Sequence, residues 1–366
     1  MELIETLKQL HTRLPEFGFD EDVVRTLEEY LLFLREREDL LALAQTYHDD
    51  IYENGKYTLR EVEGLPENDG RSEGLLFAAL NLARYTRLEE VLAKRGVPAE
   101  VKTGALRTYK ELLQKNKNRY GSYGMRGMYR SGIVPYMTPW KYILGRLCFE
   151  VAKFTGPYEV YSSKKSGKNV LLALPGFLYM ENGKRAAKSY EGKTFEPYLQ
   201  EENGQIRGFA FGDVDGRLQH TEVTLDTAEY EKVLGTGDDV ISVHIPKSGK
   251  MSPELVDDAF ARADKFFPAY YPEINFKSYV CSSWLLNTDM QEFLSPESNI
   301  IKFQNKFRNV MTDQNGYSLY WHVFGVEEFI PLDQLQPTNS FQQTLLDRVK
   351  SGNPLYNSYG YILIEK

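Results

Sequence analysis

A chain of 366 residues with 25 Tyr, 20 Phe and 3 Trp is too aromatic to be disordered and long enough for two cores. Its formal net charge of −8, without any run of Lys and Arg, argues against a general nucleic-acid binder. Two cysteines, Cys148 and Cys281, are too few for a disulfide framework and point to a reduced, cytoplasmic protein. No Cys or His pair sits at zinc-ligand spacing, and no apolar run could span a bilayer, so neither a metal nor a membrane is expected.

In chain order, MELIETLKQLHTRL is amphipathic and charged throughout, unlike a signal peptide. Asp20 is placed to cap a helix through EDVVRTLEEYLLFLRERED, with Val23, Leu27, Tyr30, Leu31 and Leu34 at helical spacing. LLALAQTYHDDIYEN reads as the next helix and GLPENDGRSEG as a loop. SEGLLFAALNLARYTRLEEVLAKRG and PAEVKTGALRTYKELLQKNKNRYG both carry apolar residues three and four apart. The Gly- and aromatic-rich run 119–140 reads as a connection, or as a loop over the second domain lined by Tyr120, Tyr123, Tyr129 and Trp140.

The texture then changes to strands and turns. YILGRLCFEVAKF opens it, and hairpin signals follow at Asn203-Gly204 and Asp215-Gly216. Next come a strand DDVISVHIP, a helix SPELVDDAFARADKFF, a strand FKSYVCSSWLL and a broken helix ending in NIIKFQNKF. YSLYWHVFG reads as a strand, QQTLLDRVKSG as a helix and GYILI as a last strand. The expected fold is α+β: a helical domain over 1–118, the connection 119–140 and a mixed α/β sheet domain over 141–366.

The segment 238–267 is the most informative. A strand ends at Pro246, and Lys247-Ser248-Gly249-Lys250 leads to a helix with Ser252 at the N-cap and Pro253 in its first turn. Backbone N–H groups at such a helix start, helped by two lysines, suit an anion; the same pattern also serves as an ordinary βα turn. His244 and Cys281 each lie near the C-terminal end of a strand that precedes a helix, the edge where open α/β sheets bind ligands. Either could be plain packing. If their faces met, His244 could activate the Cys281 thiol, with Ser283 on the same strand face as Cys281. Arg146 and Glu150 share a strand face and read as a structural pair; His220 and His322 are weaker candidates.

The order of elements resembles the GNAT acyltransferase superfamily, where a V-x-V-x-P strand leads to a Q/R-x-x-G-x-G/A loop. Here ISVHIPKSGKMS stands in that place with Gly249 as its one glycine, and Lys306 stands where the superfamily often has a Tyr acid. LGTGDDVISVHIP, FARADKFFPAYYPE, YVCSSWLLN and ESNIIKFQNKF are similar to a bacterial N-acyltransferase family with a helical N-terminal and a GNAT-like C-terminal domain. The resemblance implies a GNAT-like sheet and transfer of an acyl group from acyl-CoA, or a related thioester, to a small amine acceptor. Acyl-CoA would be a co-substrate, with no tightly bound cofactor. Ile245, Lys247, Ser248, Gly249, Lys250, Ser252 and Asn299 would bind it, with His244, Cys281 and Ser283 as catalytic candidates. Transfer could be direct, with His244 as base, or through an acyl-Cys281 intermediate. Two other readings are a GNAT-like ligand-binding protein without catalysis and a cysteine hydrolase.

Overall fold

The computed structural model of the chain describes residues 2–54, 71–247, 249–326 and 328–364. It divides into two compact units, Met1–Ile143 and Leu144–Lys366.

The first unit is helical: α1 Glu2–Gln9, α2 Glu21–Arg35, α3 Glu38–His48, α4 Arg71–Lys94, α5 Ala99–Tyr120 and the short α6 Met128–Ile133. The buried stripe of α2 is Val23, Leu27, Tyr30, Leu31 and Leu34, as its spacing requires. Glu21 and Asp22 lie in its first turn and Arg35 in its last, which complements the helix dipole. Asp20 sits at the N-cap without a side-chain capping bond. The loop read at 64–74 lies outside the described residues up to Gly70, and α4 begins at Arg71.

The Gly- and aromatic-rich segment falls within this unit. Met125 N–H donates to the Gly74 carbonyl at 2.8 Å, and Tyr123, Met125, Tyr129, Ile133 and Met137 are buried. Gly124 is required here: a Cβ on it would lie 2.9 Å from the Gly74 backbone.

Fourteen strands follow among the described residues, thirteen of them wholly within the second unit. They are β1 Lys141–Leu144, β2 Leu147–Lys153, β3 Tyr158–Ser163, β4 Asn169–Ala173, β5 Tyr179–Met180, β6 Thr194–Phe195 and β7 Leu199–Glu202. Then follow β8 Gln205–Phe211, β9 Leu218–Asp226, β10 Tyr230–Leu234, β11 Asp239–His244, β12 Ser278–Ser283, β13 Arg308–Gln314 and β14 Tyr356–Leu363. The helices are α7 Pro253–Tyr270, α8 Asn299–Gln304, α9 Gly316–Ser318 and α10 Ser340–Lys350. The main sheet runs β1-β2-β11-β12-β14-β13; β11 and β12 are parallel, and β2–β11, β12–β14 and β13–β14 are antiparallel. A second sheet runs β10-β3-β4-β8-β7, with β9 on β8.

The two faces of the main sheet bury different partners. Val240, Val280, Val310 and Tyr361 pack with Phe154, Tyr158, Val160, Leu171 and Phe211 of the second sheet's layer. On the other face, Phe149 and Tyr279 meet Phe260 of α7 edge-on, at centroid distances of 5.6 and 5.1 Å.

Two elements differ from the sequence reading. Residues 317–325 are not a strand: α9 passes into a π-helical turn, Leu319–Phe324, that stops at Gly325 with φ 70°. Aromatic and β-branched residues favour strands, but the Asn315 side chain accepts from Ser318 N–H and starts a helical turn that buries Leu319. The strand that does fill this place is β13, in the stretch RNVMTDQ, where only Val310 and Thr312 are strand-favouring residues.

Candidate active site

The parallel ladder between β11 and β12 covers only Val240, Ile241 and Ser242 against Ser278, Tyr279 and Val280. Both strands continue beyond it, each held on its outer side: β11 pairs with β2 as far as His244, and β12 pairs with β14 as far as Ser283. The strands therefore part at their C-terminal ends. Backbone N–H and C=O groups there face a gap rather than each other, and a ligand with amide groups can pair with them.

Register decides which side chains meet. Ser242 lies beside Val280, so the two point to the same face. His244 shares the face of Ser242, and Cys281, one residue past Val280, takes the opposite face with Tyr279. The two residues flank the same gap from opposite faces of the sheet. Cys281 is 1% exposed, and burial pushes its thiol up to about 12. Its neighbour Ser283 caps the turn Trp284–Leu286, accepting from Leu285 N–H at 3.1 Å.

His244 has a different partner. Glu150 stands two residues along β2 from Cys148, which pairs with His244. The Glu150 Oε2 lies 2.8 Å from His244 Nε2, with side-chain exposures of 29% and 41%. The contact is close but off the line of a well-aligned hydrogen bond. A carboxylate at Nε2 favours the tautomer with its proton there, which leaves Nδ1 to accept one. Sequence put Arg146 and Glu150 on one strand face; Arg146 lies instead in the turn before β2, and the antiparallel register of β2 with β11 brings Glu150 to His244.

The loop after β11 is tied down by Arg146. Its Nε donates to the Lys250 carbonyl at 2.9 Å, and one terminal nitrogen donates to the Pro246 and Gly249 carbonyls at 3.0 and 3.2 Å. Gly249 has φ +92°, which favours glycine. Ile245 is half-buried, and Lys247 and Lys250 are exposed; Lys247 Nζ donates to the Trp321 carbonyl at 3.3 Å. Ser248 lies outside the described residues. Ser252 has extended N-cap geometry and Pro253 begins α7. The Ser252 side chain bonds the Glu254 carboxyl, which its own backbone N–H and this contact hold below the usual range. Asn299 is the exposed first residue of α8, capped by Ser298 rather than by itself.

Lys306 forms an ion pair with Asp257 of α7. His322, in the π-helical turn, is lowered by burial and by Lys247. His220 lies on the exposed part of β9, with Nε2 3.2 Å from the Met180 carbonyl. Among the described residues no three His, Cys, Asp or Glu gather as a metal site, and no helix is long and apolar enough to cross a membrane.

Residues 142–362 match the GNAT-like C-terminal domain family, and residues 8–128 match the N-acyltransferase N-terminal domain family. No curated protein matches the sequence. Among solved structures, an acyltransferase in complex with CoA and 10C-teicoplanin superposes with a TM-score of 0.58 at 19% identity, covering 99% of each chain. An acyltransferase mutant with octanoyl-CoA gives 0.58 at 19% identity, covering 97% of this chain and 94% of that one. An acyltransferase with decanoyl-CoA gives 0.57 at 18%, with the same coverage. At this identity the likeness is one of fold: a helical N-terminal unit followed by a GNAT-like mixed sheet.

Proposed function

We propose an acyl-CoA-dependent N-acyltransferase, starting from the fact that the chain belongs to the family of the GNAT-like C-terminal domain. The observation that carries the proposal is the parting of β11 and β12 beyond Ser242 and Val280, which opens a slot for the thioester arm beside His244. The loop of Lys247, Gly249 and Lys250 and the start of α7 at Ser252 take the pyrophosphate, helped by the helix dipole. Ile245 follows His244 at the edge of the slot, and Asn299 begins α8, the next α-helix after β12.

Transfer is direct. The amine nitrogen adds to the thioester carbonyl carbon, and Nδ1 of His244 takes the amine proton. Unpaired backbone N–H groups at the slot polarise the carbonyl oxygen. The tetrahedral intermediate expels the CoA sulfur, the proton passes to that thiolate, and an amide and free CoA leave. Glu150 holds the imidazole and balances its charge while it carries the proton. Cys281 and Ser283 are packing and capping residues in this scheme, because Cys281 is buried on the other face of the sheet. The reading places the protein in the cytoplasm, where Cys148 and Cys281 stay as thiols.

The test is incubation with decanoyl-CoA and a panel of primary amines. Free thiol is expected to appear in step with amide, and His244→Gln to slow it about a hundredfold or more. Binding without turnover across the panel favours a non-catalytic ligand-binding role, a reading supported by Lys306, which is held by Asp257 where the superfamily often has a Tyr acid.

A further inference from the structure

Three carbonyls of one short loop converge on one guanidinium. Arg146 reaches Pro246, Gly249 and Lys250 at 2.9 to 3.2 Å, from the turn between β1 and β2. In a trans peptide the C=O and the following N–H point in opposite directions, and the described chain has no cis peptide. Turning those three carbonyls toward Arg146 therefore turns the N–H groups of Lys247, Lys250 and Met251 away from it. None of these three N–H groups has a protein acceptor among the described residues. They sit beside the start of α7, where the helix dipole already favours an anion. Lysine could not replace this arrangement, because a single ammonium lacks the fixed planar fork that holds several acceptors at once.

We propose that Arg146 is a positioning residue that shapes the loop after β11 into an anion cradle. The loop has one glycine, and the conformational freedom that further glycines would give is replaced by a cross-link from the neighbouring hairpin. Among the described residues of the loop Gly249 supplies the positive φ, and its carbonyl is one of the three that Arg146 holds. Arg146 touches no ligand in this role; it aims the backbone groups that do. The inference rests on the reading of this loop as the site for the phosphates of CoA.

The experiment compares two ligands that differ only in the phosphates and the nucleoside: decanoyl-CoA and decanoyl-pantetheine. Calorimetry is run on the wild-type protein, R146K and G249A. R146K and G249A are expected to weaken decanoyl-CoA by about ten- to a hundredfold, the worth of one or two charge-assisted contacts. Decanoyl-pantetheine should bind all three proteins alike, which a merely structural role for Arg146 would not allow. Unchanged decanoyl-CoA binding in R146K, or an equal loss of both ligands in R146K and G249A, overturns the role of Arg146. If the wild-type protein itself binds the two ligands equally, the loop does not hold phosphates, and the functional reading beneath the inference fails.

Discussion

Replacing Glu150 by Gln keeps the size of the side chain and removes one charge 2.8 Å from His244 Nε2. If His244 takes the amine proton, the imidazole becomes positive as the transition state forms, and the lost carboxylate is felt there. Two unit charges at that distance interact by about 6 kcal/mol at an effective dielectric of about 20, and by about 1.5 at the value of water. Both side chains are well open to solvent, at 29% and 41% exposure, so the lower figure applies. Glu150→Gln should therefore reduce turnover about tenfold, with little change in the KM for acyl-CoA. The assay is thiol release under saturating acyl-CoA and amine, for each single variant and for the pair with His244→Gln. In the His244→Gln background the Glu150 substitution should have almost no further effect, because it acts through the imidazole. Equal losses from Glu150→Gln with and without His244, or no loss in either, would refute the dyad.

Cys281→Ala should keep wild-type turnover, and the native thiol should resist iodoacetamide at neutral pH, since it is buried and raised to about 12; loss of turnover with an acyl adduct on Cys281 by mass spectrometry would restore the covalent route. Asp22 is held down from 3.8 to about 2 by Lys117 first and by Tyr123 second. A lowered carboxyl stabilises the fold above its unfolded pKa and loses that effect as pH falls through the folded one. The Tm gap between wild type and Asp22→Asn should be full at pH 6 and close between about pH 4 and 2; a gap that ignores pH contradicts the assignment. Asp289, only 7% exposed, sits between Lys184 at 2.6 Å and Arg217 at 2.8 Å. Asp289→Asn leaves two cations facing each other and should destabilise the protein by about 3 kcal/mol in urea unfolding.

The helices of the first unit were legible because their stripes repeat locally: the five residues of α2 at helical spacing, Val23, Leu27, Tyr30, Leu31 and Leu34, are its five buried ones. The strand–loop–helix after His244 was legible too, through Pro246, Gly249 and the Ser252-Pro253 start. What sequence did not carry was pairing between distant segments. The faces of β11 and β12 are each plain from alternation, but only the register Ser242 to Val280 puts His244 and Cys281 on opposite sides. Alternation marked Glu150 and Arg146 as a local pair, and their actual partners escaped for the same reason, since those lie about a hundred residues away. The segment 317–325 misled through strand-favouring residues whose backbone is fixed instead by Asn315 and Gly325.

The central claim is that the gap between β11 and β12 receives an acyl-CoA, and a crystal structure of the protein grown with decanoyl-CoA tests it most directly. The thioester carbonyl should lie beside His244, the pantetheine between the ends of β11 and β12, and the pyrophosphate on the N–H groups of Lys247, Lys250 and Met251. A closed gap at millimolar ligand, or decanoyl-CoA bound elsewhere, would contradict it.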